Sequence, residues 1–483
     1  MKLSAILPFL AASAEVVGDA ECEIRGLAID SRAVKSGDCF IAMNGEHVDG
    51  HEFVDQAIER GASVIVVDEA RRTGVPERVC AVYVPETRRA LSAIAAAFYD
   101  RPSHAMDVAG VTGTNGKTTT TRMTAAILNA AGKTCGVIGT VGADLGDRHW
   151  NLENTTPLPP ELHGLLAEMH GLGARTVAME VSSHALALDR VEDVCFRVAA
   201  FTNITRDHLD FHGTLEAYAA AKHRLFTMAH AAVLNLDDEH GERWLPEIRR
   251  RIPTLTYGMK SKADLVPTAL AIAADGSEFT LDGTLFTVAI PGRFNVSNAL
   301  AAIGIARTLG IDDAVSARGL ASLKRVPGRM EHVGGSDVDV VVDYSHTPDA
   351  LEQALRALRE TARRSLVVVF GCGGDRDRGK RPQMGRVAAD FADRIYITSD
   401  NPRSEDPSAI INEIETGIGT EPHTVEVDRR IAIERAVREA HAGDVVLIAG
   451  KGHETYQQLA DRTIDFDDVA VAREALASRV VKA

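Results

Sequence analysis

The last third of the chain alternates short apolar runs with segments of mixed polarity. Four of these runs are rich in Val and Ile and show no alternation of apolar and polar positions: Asp339–Asp343, Ser365–Phe370, Arg394–Thr398 and Asp444–Ala449. Strands that are apolar on both faces are typical of a parallel sheet covered by helices on both sides. With helical segments between the runs, the pattern predicts βαβ units.

Shorter runs of the same kind mark the beginning of the chain. The pattern predicts strands over Cys39–Met43 and Ala62–Val67, and helices over Phe53–Arg60 and from about Arg89 to Tyr99. The loops between them are polar, rich in glycine and placed at strand ends, where α/β sheets bind ligands. Solvated surface loops have a similar composition, so these loops alone are a weak indication of function.

The middle of the chain contains both kinds of element. We expect helices at 123–131, 161–170, 215–226 and 299–309, and strands at 176–179, 232–236, 278–281 and 285–290. The 483 residues correspond to about three domains of ordinary size. The sequence therefore predicts a three-domain α/β protein, with domains at 1–89, 90–328 and 329–483.

The N-terminal segment is open to two interpretations. Leu3–Leu10 is apolar, follows a single lysine and precedes Ala11–Ala14, an arrangement that resembles a short secretion signal. One lysine makes a weak positive region, so we favour an amphipathic first helix that covers a domain core. No uncharged apolar stretch reaches the ~18 residues that a membrane-spanning helix needs.

Composition and charge exclude several classes of protein. An apolar content of 45% and a charged content of 25% are ordinary for a globular protein. The net charge of −15 argues against a nucleic-acid surface. Six cysteines are spread singly, which indicates neither a disulfide framework nor a zinc site and fits a reducing compartment.

A glycine-rich turn follows the small and apolar residues from Val108 onward. It contains Gly113, Thr114, Asn115, Gly116, Lys117, Thr118 and Thr119. Backbone N–H groups at such a turn and at the following helix N-terminus form a cradle for phosphate. Lys117 would reach the outer phosphates, and a threonine hydroxyl would hold Mg²⁺. The strict phosphate-loop pattern requires a glycine where Val111 stands, so an ordinary turn is the alternative.

Acidic and imidazole side chains are expected near this loop. Glu180 should end the strand at 176–179, where a carboxylate can hold a metal ion opposite bound phosphate. A second strand, over 199–206, is expected to end in Asp207, His208, Asp210 and His212. These side chains suit Mg²⁺ or a polar substrate. Zinc is an alternative because the two histidines are four residues apart, but no cysteine set supports it.

Three polar loops follow strands of the predicted C-terminal sheet, at 371–381, 400–403 and 450–454. Loops at the carboxyl ends of neighbouring parallel strands converge on one crevice. There Arg376 and Arg403 offer bidentate forks for carboxylates, whereas Asp400 and Glu454 can pair with ammonium groups. We therefore expect a ligand with carboxylates and amines at both ends.

Taken together and in order, the motifs resemble the ATP-dependent Mur ligases of peptidoglycan synthesis. The resemblance rests on Gly113–Thr119, Asn154–Pro157, Glu180–His184, Asp207–Gly213, Ala220–Phe226, Gly292–Ala299, Val326–Glu331 and Val342–Pro348. Within that family the chain resembles the MurE subfamily, which adds the third residue to a UDP-N-acetylmuramoyl peptide. The resemblance covers the whole chain.

The resemblance implies roles for further residues. It implies ATP as co-substrate, Mg²⁺ as cofactor and a cytoplasmic, monomeric enzyme with no nucleic-acid or membrane partner. Contacts to UDP and the muramoyl peptide would fall on Ile29, Ser31, Glu46, His47, Val48, Asn154, Thr155, Thr156, Ser182 and Arg190. The nucleotide would meet Asn298, Arg329, Asp343 and His346 besides the loop Gly113–Thr119. By residues alone, Asn298 could equally be a helix cap.

The catalytic and metal-binding set is also implied by the resemblance. Lys117, Glu180, His208 and Lys222 would be catalytic, with Thr118, Glu180, His208 and Lys222 around the metal. Lys222 matches a lysine that the family carbamylates, which turns a cation into an oxygen ligand. Unmodified, it would be a surface or phosphate-pairing lysine. Many members carry Gln where this chain has Leu188, so one substrate contact is in doubt.

The loop at 400–403 determines which amino acid we expect. Asp400-Asn401-Pro402-Arg403 resembles the motif of enzymes that use meso-diaminopimelate, together with Arg376, Gly450 and Glu454. The expected function is ATP-dependent addition of diaminopimelate to UDP-N-acetylmuramoyl-L-alanyl-D-glutamate through an acyl phosphate. The alternatives are a lysine-adding relative, a folylpolyglutamate synthetase and a muropeptide-binding protein without activity.

Overall fold

The computed structural model describes residues 1–45, 48–72, 74–260, 262–273, 276–334 and 337–479. Contacts between Cα atoms divide the chain into two compact units whose segments alternate along the sequence. Unit 1 comprises 1–112, 133–199 and 221–232, and unit 2 comprises 113–132, 200–220 and 233–483. The domain boundaries at 89/90 and 328/329 stay predictions.

The first part of unit 1 is a five-stranded sheet between two layers of helix. Its elements are β1 (Glu15–Val17), β2 (Leu27–Ala28), β3 (Cys39–Ile41), α1 (Val54–Glu59), β4 (Val64–Asp68), β5 (Cys80–Val84) and α2 (Thr87–Phe98). The strand order is β1-β5-β4-β3-β2, with β1 antiparallel and the others parallel. One face packs on α2 and the other on α1. Covering of both faces explains the unbroken apolar run of β4.

The N-terminal segment packs on this sheet but is not the α-helix that we expected. Residues Leu3–Ala5 and Leu7–Phe9 form two short 3-10 helices, and Leu3 and Ile6 join the core beside α2. Pro8 lacks an N–H group and crowds the preceding turn, so a continuous helix is disfavoured there. The prediction was right about burial and wrong about the element.

The chain then continues through the middle segment. Its elements are β6 (Asp107–Thr112), α3 (Lys117–Ala130), β7 (Cys135–Gly139), β8 (Gly142–Leu145), β9 (Arg148–Trp150), α4 (Pro159–Gly171), β10 (Thr176–Glu180), α5 (Ser183–Ala187), β11 (Phe196–Phe201), α6 (Leu209–His212) and α7 (Leu215–His223). Within unit 1 neighbouring strands run β6-β10-β7-β8-β9. The first three are parallel, and β8 and β9 continue antiparallel. Every residue of β10 is buried, and Glu180 ends it at the carboxyl end as predicted.

The predicted start of α3 and the predicted end of the strand before residue 207 were wrong. Helix α3 begins at Lys117, six residues before the expected start, although threonine is a poor helix former. Thr118–Thr121 are all buried, so packing outweighs their low propensity. The strand expected to run to residue 206 ends at Phe201, and a loop carries the chain to α6.

The remainder of unit 2 before residue 330 adds a helical pair and a small antiparallel sheet. The elements are β12 (Ala232–Asn235), α8 (Glu239–Arg251), β13 (Thr254–Tyr257), β14 (Thr268–Ala273), β15 (Gly276–Leu281), β16 (Thr284–Val288), α9 (Arg293–Thr308) and α10 (Asp313–Ser322). Strands β14, β15 and β16 pair in that order. Helix α9 starts six residues before the predicted helix, which places Asn298 inside it.

The C-terminal part of unit 2 contains the predicted parallel sheet. Its elements are β17 (Glu331–Gly334), β18 (Asp339–Asp343), α11 (Pro348–Arg359), β19 (Leu366–Phe370), α12 (Lys380–Phe391), β20 (Arg394–Ile397), α13 (Pro407–Ile418), β21 (Thr424–Val425), α14 (Arg429–Glu439), β22 (Val445–Ala449), β23 (Tyr456–Gln458), β24 (Thr463–Asp465) and α15 (Asp468–Ala477). The order is β17-β18-β22-β19-β20-β21, with only β17 antiparallel. All residues of β19 and β22 are buried, which confirms that both faces are covered. No helix in the described parts of the chain is long and apolar enough to span a membrane.

Candidate functional site

The phosphate loop in unit 2 has a backbone that only glycine fits at two positions. Gly113 has φ +150° and Gly116 has φ +86°. A Cβ atom on Gly113 would lie 1.9 Å from Thr202 Oγ1, and one on Gly116 would lie 2.2 Å from Asn298 Oδ1. The loop is therefore packed too closely for any side chain there.

Hydrogen bonds from the segment after β11 fix the same loop. Asn115 N–H donates to Asn203 Oδ1 at 2.9 Å, and Thr202 Oγ1 donates to Asn115 O at 2.6 Å. Thr114 N–H donates to Asn203 O at 2.7 Å. Thr202 and Asn203 fall within the strand that the sequence predicted over 199–206, but no feature of the sequence gave them this role.

Lys117 and Thr118 open α3 beside the loop. Lys117 Nζ donates to Gly113 O at 2.9 Å and to Thr114 O at 2.8 Å, so its ammonium lies over the loop. Thr118 is buried, and its Oγ1 accepts a hydrogen bond from Arg329 Nη2 at 3.0 Å. Helix α3 has 14 residues and no side chain caps its N-terminus, so the positive end of its dipole is suited to an anion.

The predicted nucleotide residues lie around this helix N-terminus. Asn298 lies inside α9 and is buried, so the alternative of a helix cap was wrong. Its Nδ2 donates to Asn295 Oδ1 at 3.1 Å. Arg329 stacks over the Tyr344 ring with its guanidinium carbon 4.4 Å from the centroid. Asp343 is buried and accepts from Met330 N–H at 2.7 Å. Burial raises the pKa of Asp343.

His346 and Asp207 are ionisable groups with shifted pKa values in the same unit. Burial lowers the pKa of His346, and the Lys380 charge lowers it further, so the ring is neutral at pH 7. Its Nδ1 lies 2.9 Å from Tyr344 O, which makes Nδ1 the protonated nitrogen. Burial alone would raise the pKa of Asp207, but His208 and other cations outweigh it and lower that pKa.

His208 differs from its neighbours in exposure. Its side chain is 41% exposed, its backbone is left-handed with φ +52°, and Nε2 lies 3.4 Å from Asp207 Oδ2. Within the described residues, no group of three His, Cys, Asp or Glu side chains is arranged to hold a metal ion. His208 directly precedes α6 and His212 ends it, and His212 N–H donates to His208 O at 3.0 Å.

In unit 1, Glu180 is held by a residue that the sequence did not indicate. Glu180 Oε1 accepts from Thr140 N–H and Oε2 accepts from Thr140 Oγ1, both at 2.9 Å. A Cβ on Gly139 would lie 2.2 Å from Glu180 Oε1. Thr140 follows the strand beside β10, and that adjacency becomes visible only in the folded sheet.

The hydroxyl-rich turn lies against Glu180 as well. Thr155 Oγ1 is 3.2 Å from Thr140 Oγ1, and Thr156 Oγ1 donates to Glu180 O at 2.9 Å. Ser182 N–H donates to Thr156 Oγ1 at 3.0 Å, and Arg190 Nη1 donates to Thr156 O at 3.1 Å. Four predicted substrate residues are therefore connected to Glu180 through hydrogen bonds of Thr156 and Thr140.

The other predicted residues of unit 1 have varied environments. Lys222 is 1% exposed, so the alternative of a surface lysine was wrong. Ser31 is buried and donates to Gln56 Oε1 at 2.5 Å. Val48 is 58% exposed. Glu46 and His47 lie outside the described residues.

In unit 2, the predicted amino-acid residues meet at the carboxyl ends of β19, β20 and β22. Arg403 has φ +51° and donates through Nη1 to Gly374 O at 2.7 Å. Gly450 has φ +116°, and a Cβ there would lie 2.6 Å from Asp400 Oδ2. Arg376 is exposed and donates to Asp375 O at 2.9 Å.

Two buried cations in this crevice were missed. Arg381 is fully buried and pairs with Glu405 at 2.7 Å and Glu413 at 2.8 Å, which anchors the loop after β19. Its hydrogen bonds lower the pKa of Glu405 to about 2. Lys451 is fully buried, and its Nζ lies 3.0 Å from both Asn401 Oδ1 and Glu454 Oε2. A lysine between two glycines, next to predicted ligands, was the available signal.

A phosphate loop on an α/β scaffold, with a polar crevice at strand ends in the same unit, defines a nucleotide-binding α/β protein. Three family models match the chain: the Mur ligase family catalytic domain at 23–99, the Mur ligase middle domain at 111–306, and the Mur ligase glutamate ligase domain at 328–452. The chain belongs to the Mur ligase family.

Relatives and solved structures agree with that assignment. A protein of Syntrophomonas wolfei named UDP-N-acetylmuramoyl-L-alanyl-D-glutamate–2,6-diaminopimelate ligase is 45% identical over 478 residues, 96% of each chain. A solved structure of a ligase with that name has a TM-score of 0.69 at 34% identity and covers 99% of both chains. Folylpolyglutamate synthase of Mycobacterium tuberculosis has a TM-score of 0.65 at 18% identity, covering 82% of this chain and 96% of its own, which shows a shared fold alone.

Proposed function

We propose that this chain is the ATP-dependent ligase that adds meso-2,6-diaminopimelate to UDP-N-acetylmuramoyl-L-alanyl-D-glutamate. The reaction is a step of peptidoglycan precursor synthesis, and we place it in the cytoplasm. The observation that carries the proposal is the match to relatives named for this reaction, at 45% identity over 96% of both chains. The crevice with Arg403, Asp400 and Glu454 supports it, since these groups complement carboxylates and amines.

The phosphate loop would bind the triphosphate of ATP. Phosphate oxygens would replace Gly113 O and Thr114 O as the acceptors of the hydrogen bonds from the Lys117 ammonium. The N-terminus of α3 would add N–H donors. Arg329, held between Thr118 and the Tyr344 ring, is placed to orient the nucleotide. These preorganised charges offset the negative charge of the phosphoryl group as it transfers.

The donor chemistry of the chain fits Mg²⁺. Each oxygen of Glu180 accepts one hydrogen bond from Thr140 and keeps further lone pairs for a cation. Lys222 is buried, and as a carbamate it would offer oxygens that suit a hard ion. We propose Thr118, Glu180, His208 and carbamylated Lys222 as the ligands. When bound, Mg²⁺ neutralises charge on the phosphates.

The bond-forming steps follow from the substrates. The γ-carboxylate of the D-glutamyl residue attacks the γ-phosphorus of ATP, which forms an acyl phosphate and releases ADP. The deprotonated amine of diaminopimelate then attacks the acyl carbon, and inorganic phosphate leaves. Arg403 and Arg376 would hold the distal carboxylate, and Thr155, Thr156, Ser182 and Arg190 would position the muramoyl peptide near Glu180.

The amino-acid specificity is tested by phosphate release. Purified protein with ATP, Mg²⁺ and UDP-N-acetylmuramoyl-L-alanyl-D-glutamate receives either meso-diaminopimelate or L-lysine. We expect release with diaminopimelate and much slower release with lysine. Equal rates with both amino acids would refute the specificity, and release with neither would refute the function.

Two controls separate the rival functions. Turnover that needs a folate and glutamate would instead identify a folylpolyglutamate synthetase. Tight binding of the muramoyl dipeptide without any ATP turnover would identify a binding protein. We also propose that the enzyme is a monomer, and light scattering at working concentration tests this.

A further inference from the structure

Lys451 lies at the centre of the amino-acid crevice but is fully buried. Its Nζ is 3.0 Å from Asn401 Oδ1, 3.0 Å from Glu454 Oε2 and 3.8 Å from Asp400 Oδ1. The same ammonium lies 5.4 Å from the centroid of the Tyr456 ring. The lysine therefore joins the loop after β22 to the loop after β20.

The partners of Lys451 are fixed by further contacts. Asn401 Nδ2 donates to Glu454 Oε2 at 2.8 Å, and Asn401 Oδ1 accepts from Gln458 N–H at 2.9 Å. Gln457 Nε2 donates to Asp400 O at 2.6 Å. Lys451 is 0% exposed, whereas the side chains of Asp400 and Glu454 are 9% and 16% exposed. The two acids are therefore more accessible to a ligand than the lysine, whose ammonium lies behind them.

This arrangement changes what the acidic pair can attract. Two carboxylates without a counter-charge would bind any ammonium group strongly, including that of a simple diamine or of lysine. The buried ammonium of Lys451 supplies one positive charge to both acids. The pair then gives an incoming ammonium less electrostatic stabilisation, and a carboxylate next to that ammonium is needed to engage Arg403.

We propose that Lys451 is a specificity-determining residue. Its buried ammonium offsets one of the two negative charges of the acidic pair, so that the crevice favours an amino acid whose distal end carries both an ammonium and a carboxylate. The distal end of L-lysine carries the ammonium alone. This inference rests on the proposed function, because it concerns the choice between diaminopimelate and lysine.

The test compares the two amino acids in matched variants. Lys451→Met removes the charge at similar volume, Lys451→Arg keeps it, and Lys324→Met removes an exposed lysine elsewhere in unit 2. For each protein kcat and KM are measured by phosphate release with meso-diaminopimelate and with L-lysine. Calorimetry measures binding of each amino acid separately, with ATP replaced by a non-hydrolysable analogue.

The ratio of kcat/KM for diaminopimelate to that for lysine is the decisive quantity. We expect Lys451→Met to lower this ratio by at least about tenfold, mainly through KM, because the acids lose the ammonium that pairs with both of them. Lys451→Arg and Lys324→Met should stay within about threefold of the unmodified chain. An equal loss with both amino acids, leaving the ratio unchanged, would mean that Lys451 only holds the loops and would overturn the proposal.

Two further measurements keep the result decisive. If Lys451→Met fails to fold, Lys451→Gln retains N–H donors to Asn401 and Glu454 without the charge, and the same fall in ratio is expected. If the unmodified protein turns over neither amino acid, the proposed function fails. The calorimetric ratio then still tests the charge effect, and an unchanged ratio overturns it.

Discussion

His163, in helix α4 of unit 1, makes the stability of the fold depend on pH. Both ring nitrogens are buried, and neither hydrogen-bonds to any residue in the described parts of the chain. Burial lowers the pKa of this imidazole to about 4. Helix α4 begins at Pro159, directly after the turn Asn154–Pro157 that we assign to the muramoyl peptide.

The size of the effect follows from linkage. An unfolded histidine has a pKa of about 6.5, so acid protonates the unfolded state first and favours unfolding. The contribution of the neutral His163 ring to the free energy of unfolding is complete above about pH 6.5 and is lost as the pH falls toward 4. Between pH 8 and pH 5 the loss is about 2 kcal/mol, and it approaches about 3.4 kcal/mol well below pH 4.

Urea unfolding at pH 8 and pH 5 measures this loss. His163→Leu removes the titrating group. Between pH 8 and pH 5 we expect the unfolding free energy of this variant to fall by about 2 kcal/mol less than that of the unmodified chain. His163→Gln is the matched control, since it stays polar but does not titrate. It should be less stable than His163→Leu at both pH values, with the same reduced pH dependence. Identical pH dependence in all three proteins would refute the reasoning.

Three further predictions concern the proposed site. Gly116→Ala should raise the KM for ATP at least about tenfold, because its Cβ would displace Asn298. Gly132→Ala is the matched control, because Gly132 also has a positive φ, +74°, but has open space around it. Gly116→Ala and Gly132→Ala each cost about 1 kcal/mol of backbone strain, but Gly132→Ala should leave the KM for ATP unchanged. Arg403→Ala should raise the KM for diaminopimelate about 100-fold and leave the KM for ATP unchanged; equal effects on both would contradict the assigned contact. Thr140→Val should lower kcat about 10- to 100-fold at limiting Mg²⁺, and an unchanged Mg²⁺ dependence would contradict its role.

Much of the fold could be predicted because it follows from patterns that are local in sequence. The Val- and Ile-rich runs of the C-terminal sheet identified four of its six strands, β18, β19, β20 and β22, to within a residue. Boundaries failed where tertiary packing opposed propensity, as in the buried threonines that open α3 and the asparagines that lie inside α9. Pro8 indicated a break in the N-terminal helix, but we gave more weight to the apolar pattern around it.

The site was predictable to the extent that its residues belong to contiguous motifs. The loop Gly113–Thr119 and the segment Asp400–Arg403 were recognised in this way. Thr140, Arg381 and Lys451 were not, because each acts on a residue that is distant in sequence: Thr140 on Glu180, Arg381 on Glu405 and Lys451 on Asn401. Sequence motifs therefore indicated the groups that would touch ligands, and the structure added those that hold them.

The glycines show why these supporting contacts matter for function. Gly139 and Gly450 each leave too little space for a Cβ, and in both cases the nearest atom is a carboxylate oxygen, of Glu180 and Asp400 respectively. The absent Cβ leaves the space that each carboxylate occupies. The residue after each glycine also contacts the acid: Thr140 Oγ1 donates to Glu180 Oε2 at 2.9 Å, and Lys451 Nζ forms an ion pair with Asp400 Oδ1 at 3.8 Å. The same arrangement, a glycine at the end of a parallel strand followed by a polar or charged side chain, thus holds both Glu180, a proposed metal ligand, and Asp400, a proposed contact of the amino acid.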